Sequence, residues 1–216
     1  MTHTLALATQ NRGKVEELRV LLAGLDVDVV PMKDLVRPDF HVIEDGATFE
    51  ENALKKARAV AQATMMLTLA DDSGLEVDAL NGAPGVRSAR YASERATDAE
   101  NNAALLSALE STPNATGDAP ARFRCVLALI DPFVCDGEPY IVEGVCEGKI
   151  TRTPRGSGGF GYDPLFLVEG TDKTMAELSE EEKNRISHRS KAMTKLRLTL
   201  ETVLAARDSL TRRVTG

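Results

Sequence analysis

Leu5-Ala6-Leu7-Ala8, then Thr9-Gln10-Asn11, then Val15, Leu18, Leu22 and Leu25 is the stretch that decides the fold class. An apolar run too short for a helix, closed by a polar turn and followed by apolar residues at intervals of three and four, reads as strand, turn, helix. Val27 to Val30, closed by Pro31, is a second short strand. Moving outward, Thr48 caps a helix with Glu51 three residues on, as in a capping box, and Phe49, Ala53, Ala57 and Val60 line one face of it. Met66 to Ala70 is a strand running into Asp71-Asp72-Ser73-Gly74, Leu75 to Asp78 alternates as a half-exposed strand, and Asn81 to Gly85 is turn chemistry. A helix is predicted over Thr97 to Leu109 and a surface loop over Ser111 to Pro120. Strands over Arg122 to Ile130 and Tyr140 to Ile150 form an antiparallel hairpin that extends the sheet. After a Gly-rich turn, Gly156 to Gly161, Ser179 with Glu182 is another capping-box candidate, and Met193, Leu196, Leu200, Val203 and Leu204 give the last helix its apolar stripe. The sum is one α/β domain over residues 1–216, a twisted mixed sheet with helices packed on it.

Composition narrows the function classes. Among 216 residues, 26 Lys and Arg face 33 Asp and Glu, a formal charge of -7, so no broad basic surface can track a nucleic-acid polymer. A small phosphorylated ligand remains compatible if a few cations gather at one place. Cys125, Cys135 and Cys146 are odd in number and form no C-x-x-C pair, which suggests reduced buried thiols and neither a disulfide framework nor a zinc site. No apolar run approaches the ~20 residues of a membrane span, and the N-terminus lacks the pattern of a secretory signal, so a cytoplasmic protein is expected.

Four segments could carry chemistry. Thr9-x-Asn11-x-x-Lys14 stands where a strand yields to a helix, an anion pocket in outline, although it is no Walker A loop and the dipole alone contributes only about 0.3–1 kcal/mol. An ordinary turn with Asn11 as N-cap is the competing account. Asp71-Asp72-Ser73 places two carboxylates and a hydroxyl at the carboxyl end of an apolar strand, where ligands gather in α/β folds. Adjacent residues point to opposite sides of an extended backbone, so one aspartate faces a given ligand while the other supports or orients. Glu44 is a second carboxylate for a hard cation, and a polar turn is the competing account. Gly156-Ser157-Gly158-Gly159-Phe160-Gly161 matches G-x-G-x-x-G literally, yet Tyr162-Asp163-Pro164 follows where a dinucleotide fingerprint needs a helix. The turn instead presents Phe160 and Tyr162, either as a base-stacking face or as core. Lys183, His188 and Arg189, around the start of the last helix, can meet a phosphate or a ring carbonyl, or form a solvated helix end.

Read together, Thr9-Gln10-Asn11-Arg12-Gly13-Lys14, Thr48-Phe49-Glu50-Glu51-Asn52-Ala53-x-x-Lys56-Ala57, Ala70-Asp71-Asp72-Ser73-Gly74-Leu75, Gly82-Ala83-Pro84-Gly85-Val86-x-Ser88-Ala89-Arg90-Tyr91, Gly158-Gly159-Phe160-Gly161-Tyr162-Asp163-Pro164 and Glu182-Lys183-Asn184-x-Ile186-Ser187-His188-Arg189 closely resemble the inosine/xanthosine triphosphate pyrophosphatase family, block for block and in order. The resemblance implies an elongated two-lobed α/β fold around a central nucleotide cleft, a homodimer, and Mg²⁺-dependent hydrolysis of ITP, dITP or XTP to monophosphate and pyrophosphate. It implies that Thr9, Gln10, Asn11, Arg12, Gly13 and Lys14 cradle the triphosphate, with Lys56 a further phosphate contact. Asp72 matches the proton acceptor and a metal ligand, Glu44 the other carboxylate near the metal, and Ser73 a substrate contact. Phe160, Gly161, Tyr162 and Asp163 match the base-binding segment, and Lys183, His188 and Arg189 complete the nucleoside site. Gln10 stands where the family often has Gly or Ser, and Asp45 where threonine is common. The rivals are a pyrophosphatase for modified pyrimidine triphosphates and a nucleotide sensor without catalysis.

Overall fold

Alternating short strands and helices assemble into a single six-stranded mixed sheet of order β2-β1-β3-β4-β5-β6. The computed structural model describes residues 2–113, 118–134 and 137–215, with side chains as far as 212. In chain order the principal elements are β1 (His3–Leu7), α1 (Arg12–Leu21), β2 (Val27–Pro31), α2 (Phe49–Thr64), β3 (Leu67–Val77), α3 (Asp98–Glu110), β4 (Ala119–Ile130), β5 (Tyr140–Ile150), β6 (Phe166–Val168), α4 (Glu180–Ile186) and α5 (His188–Thr215). β1 pairs in parallel with β2 and with β3, whereas β5 and β6 are antiparallel. The α/β expectation therefore holds, and β4 and β5 lie side by side as the hairpin reading required.

The chain forms two compact units and passes between them within β3 after Asp72, within β4 after Cys125, within β5 after Glu143 and within α5 after Lys191. In the unit containing the N-terminus, Leu5, Leu7, Leu67, Leu69, Leu127 and Leu129 are buried strand residues. They are joined in its core by Val15, Leu18, Ala53, Ala57, Val60, Leu196 and Leu200 from the predicted helical stripes. The other unit has its own core, including Leu75, Val77, Leu105, Leu109, Phe123, Ile150, Leu165 and Phe166. Cys125 and Cys146 are buried and joined in no disulfide among the described residues, and burial pushes the Cys146 thiol up to about 11, away from reactivity. Cys135 lies outside the described residues.

Four local expectations change. Asp71-Asp72-Ser73-Gly74 does not end a strand: Leu67 to Val77 is one continuous strand. The backbone passes the polar segment because Gly74 leaves room for Ser88, whose Oγ accepts the Leu75 N–H at 2.8 Å and donates to the Gly85 carbonyl at 2.6 Å. The carboxyl-end logic survives with respect to β1, whose last residue, Leu7, pairs with Leu69. Next, β4 begins at Ala119, inside the segment expected to be loop, and residues 114–117 of that loop lie outside the described residues. Third, the C-terminal helical region is two helices. Ser187 is extended at φ -65, ψ 157, ends α4, and offers its Oγ to the Ser190 N–H at 3.1 Å, the N-cap geometry that starts α5 afresh. Finally, Thr48 caps α2 by accepting from the Glu51 N–H, but the Glu51 carboxylate reaches one residue further back, to the Ala47 N–H at 2.7 Å, so the reciprocal arm of the box is displaced.

Candidate active site

In the first unit, β1 delivers the chain to the Thr9–Lys14 turn, and the Ala8 N–H still bonds Leu69 of β3 at 2.9 Å. Asn11 takes the N-cap of α1: its Oδ1 accepts the Lys14 N–H at 3.1 Å, and its own N–H donates to Thr9 Oγ1 at 3.2 Å. Thr9 is buried in shaping the turn, Gln10 and Asn11 are exposed, and Arg12 turns to solvent and pairs with Glu16. The capping account and the anion-pocket account thus describe the same residues, since the capped turn still ends on a lysine. Lys14 Nζ lies 2.7 Å from Asp71 Oδ1, and Asp71 has no exposed side-chain surface.

α2 supplies the second cation from an unusual place. Its buried residues are Phe49, Asn52, Ala53, Lys56, Ala57, Val60 and Ala61, so Asn52 and Lys56 intrude into the stripe that the apolar period reserves for the core. Asn52 Oδ1 accepts the Gly46 N–H at 2.8 Å and clips the Glu44-Asp45-Gly46 loop against the helix. Lys56 then bridges two carboxylates, Glu44 Oε2 at 2.7 Å and Asp72 Oδ1 at 2.6 Å. Its ammonium, which the resemblance assigns as a further phosphate contact, is held here between the two carboxylates. Asp45 lies apart, exposed and paired with Lys55 at 2.6 Å.

These charges act on one another. Burial raises the Asp72 carboxyl above the ordinary aspartate value, with Glu44 adding to the rise and Lys56 and Lys14 opposing it. Burial also works to raise Glu44, but the charge and hydrogen bond of Lys56, with smaller help from Asp72 and Lys14, outweigh it and hold that carboxyl below its usual value. Desolvation tends to lower Lys56, and its two carboxylates more than compensate, so it stays charged. The less buried Glu44 keeps its charge easily, while Asp72 bears the cost of sharing one ammonium. Asp72 Oδ2 is buried and makes no hydrogen bond among the described residues.

The second unit gathers the remaining predicted residues. The Gly-rich turn is not followed by a helix, as the Pro164 argument required, and Gly156, Gly159 and Gly161 take φ of +79, +73 and +62. A Cβ on Gly159 would collide with Asp163 Oδ2 and come within 3.1 Å of Lys183 Nζ, so the turn lies directly against an ion pair. That pair, Lys183 Nζ to Asp163 Oδ2, spans 2.8 Å, and the same Oδ2 accepts the Phe160 N–H at 3.1 Å. Phe160 is half-buried, with Lys183 Nζ 5.2 Å and Arg189 Cζ 5.8 Å from its ring centroid. Of the two readings left open for Tyr162, the core is the one it takes: it is 3% exposed and donates its hydroxyl to the Ser88 carbonyl at 2.8 Å. Arg189, 1% exposed, donates from a terminal nitrogen to Ser73 Oγ at 3.0 Å. His188 is buried and stacks on Phe123, 4.9 Å between centroids.

Several contributors were not singled out in the sequence. Asn52 and Ser88 lie within quoted blocks but received no role; a polar residue at a core position of a helical period was the available signal for Asn52. Gly161 donates its N–H to Asp98 Oδ2 at 2.7 Å and accepts from Asn102 Nδ2 at 3.0 Å, and both partners lie on α3, four residues apart.

Comparison with known proteins shows the family. Residues 5–199 match the Ham1 family. A dITP/XTP pyrophosphatase of Desulforamulus reducens is 54% identical over 192 residues, 88% of this chain and 92% of the relative. Another from Geobacter sulfurreducens is 52% identical over 194 residues, 89% and 94% of the two chains. Among solved structures, a Ham1 protein from Coxiella burnetii superposes with a TM-score of 0.80 at 46% identity, covering 94% of this chain and 99% of that one. The Staphylococcus aureus Ham1 protein gives 0.79 at 43% identity, covering 92% and 98%. The signature blocks, the α/β sheet and these similarities converge, and the chain belongs to the Ham1 family.

Proposed function

We propose that the chain, acting as one domain over residues 1–216, hydrolyses dITP, ITP and XTP to the nucleoside monophosphate and pyrophosphate, removing deaminated purines from the nucleotide pool. Family membership and relatives named for dITP and XTP support the substrate class. The observation that carries the chemistry is the Lys56 bridge, which holds Glu44 and Asp72 together while leaving Asp72 Oδ2 buried and without a hydrogen bond among the described residues.

That buried oxygen and the Glu44 carboxylate fit Mg²⁺, a hard cation satisfied by one or two carboxylates with phosphate oxygens and water completing its shell. Among the described residues no group of three or more His, Cys, Asp or Glu forms a ready-made metal cage, so the other positions fall to substrate and water. Bound there, the ion would neutralise charge on the phosphate oxygens, which a chain of net charge -7 would otherwise repel.

The protein's own groups do the rest. Asp72 takes a proton from the water that attacks the α-phosphorus. Lys56 fixes the plane of that carboxylate through Oδ1. Lys14, held by Asp71, stabilises charge building on the departing pyrophosphate. Phe160 offers a ring face to the base, and Arg189 and His188 offer donors to a 6-keto oxygen; adenine presents a 6-amino donor there and leaves them opposed. Each such mismatch costs about 1–3 kcal/mol, which is tenfold to hundredfold in preference. The reading also takes the enzyme as a cytoplasmic homodimer with a small-molecule substrate and no nucleic-acid or membrane partner; among the described residues no helix is long and apolar enough to cross a membrane.

Pyrophosphate release with Mg²⁺ from dITP, XTP, ATP, dTTP and UTP, by the wild type and Asp72→Asn, is the test. Expected are turnover of the first two, weak release from the others, and a loss of about 10²–10⁴-fold in Asp72→Asn with nucleotide binding retained. Preference for dTTP or UTP would favour the pyrimidine alternative, and binding without release would leave a sensor.

A further inference from the structure

We propose that Asp98 and Asn102 on α3 are positioning residues for the base, acting through Gly161 on the ring of Phe160. The inference rests on the reading of the Phe160 turn as the base-binding segment.

Gly161 is the one residue between Phe160 and Tyr162, and its φ of +62 is available to glycine at little cost. A Cβ there would meet nothing within 4 Å, so the residue is glycine for its backbone angle and not for lack of space. Such a residue swings readily unless both of its polar groups are tied. Here both are tied by side chains of one helix: the N–H by Asp98 Oδ2 at 2.7 Å and the carbonyl by Asn102 Nδ2 at 3.0 Å. The i, i+4 spacing puts the two side chains on the same face of α3. The first of these bonds is charge-assisted and about twice as strong as a neutral one.

The helix that holds the turn is itself anchored. Thr97 and Glu100 form a reciprocal capping box at its start. Buried Asn101 accepts the Ala92 N–H at 2.9 Å and donates to the Ala89 carbonyl at 3.1 Å, while Leu105 and Leu109 pack in the core. On the other side of Gly161, Tyr162 is fixed by its hydroxyl bond to Ser88. Phe160 is therefore held from its C-terminal side through one glycine, and the Asp98–Asn102 pair fixes the direction in which its ring faces. Asn102 Oδ1 is buried and makes no hydrogen bond among the described residues, so the amide's orientation is dictated by Gly161 alone. A misplacement of about 1 Å in a positioning group can cost 10²-fold, which makes such a clamp consequential for a stacked base.

Steady-state kinetics with dITP and ATP, alongside thermal unfolding, test this in Asp98→Ala, Asp98→Asn, Asn102→Asp and the control Phe160→Ala. Asp98 is exposed, and Asn102→Asp is nearly isosteric while opposing a carboxylate to the Gly161 carbonyl, so the fold should persist. Expected in Asp98→Ala and Asn102→Asp are a rise of about tenfold in KM for dITP, kcat within about threefold of wild type, and a reduced dITP-over-ATP ratio. Asp98→Asn, which keeps an acceptor oxygen, should recover most of the loss. If Phe160→Ala raises KM while Asp98→Ala and Asn102→Asp leave it at the wild-type value, or lower only kcat and unfolding temperature, the clamp is overturned and the base-site reading stands. If Phe160→Ala leaves KM unchanged, the base-site reading itself falls.

Discussion

Asp72 is surrounded by charges of both signs, and its titration reports the balance between them. The proposed base role requires the carboxylate, and in the metal-free, nucleotide-free protein burial places its pKa above the ordinary aspartate value of 3.8. Removing Lys56 takes away an influence that lowers that pKa, and removing the Glu44 charge takes away one that raises it. The titration of that carboxyl in the metal-free protein should therefore move to higher pH in Lys56→Met and to lower pH in Glu44→Gln. Carbon-13 NMR titration of the Asp72 carboxyl in the nucleotide-free protein checks both signs apart from catalysis, and a common direction in the two variants would contradict the assignment. At the proposed base site, Arg189→Ala should cut the dITP-over-ATP ratio of kcat/KM by tenfold to hundredfold if its donor mismatch of about 1–3 kcal/mol is what rejects adenine. An unchanged ratio would move base selection to other groups.

Among the helices and short 3₁₀ turns, one device recurs in the second unit. Thr97 with Glu100, Thr174 with Glu177 and Ser179 with Glu182 are reciprocal capping boxes, and in each the glutamate is held below its usual value by the hydrogen bonds it accepts. Glu182 goes furthest, to about 2, through the Lys173 hydrogen bond and the Ser179 N–H. A depressed folded pKa means that the unfolded chain binds more protons in acid. The stabilisation is therefore complete above the ordinary glutamate value of 4.5 and is lost as pH falls towards 2. Glu182→Gln should flatten that part of the stability-versus-pH curve, and Ser179→Ala should cost about 1 kcal/mol at neutral pH by denaturant unfolding. A curve as steep in Glu182→Gln as in the wild type would refute the linkage. These caps also mark how far the sequence could be read: S-x-x-E and T-x-x-E spacings are local, and Ser179 with Glu182 was visible at once. The break at Ser187 was not, because a serine amid polar residues interrupts no apolar period. The continuity of β3 through Asp71 to Gly74 was hidden for the opposite reason: two carboxylates and a glycine mimic a strand end, and their strand geometry depends on Ser88, distant in sequence.

For the molecule as a whole, apolar periodicity and turn chemistry were enough to give the α/β class and the main elements. The choice of site residues depended on six separated blocks read together, with each block alone compatible with a turn or helix end. The contacts that only folding reveals join positions far apart along the chain: Lys14 to Asp71, Lys56 to both carboxylates, Arg189 to Ser73 and α3 to Gly161. Tyr162 shows the limit most clearly, since an aromatic beside a glycine turn reads equally as ligand face or core until its hydroxyl partner is known. At this scale the homodimer proposal is checked by sedimentation, where a mass near twice the 23.3 kDa of one chain is expected and a single-chain mass at assay concentration would refute it.

Gly159 has one more consequence. Because an added methyl would overlap the Asp163 carboxylate and crowd the Lys183 ammonium, Gly159→Ala should weaken dITP binding in the same direction expected of Lys183→Met, although it alters no ionisable group. A gap in the side-chain sequence thus serves as the mould in which two opposite charges are cast, and filling it would be read by the nucleotide as an electrostatic lesion.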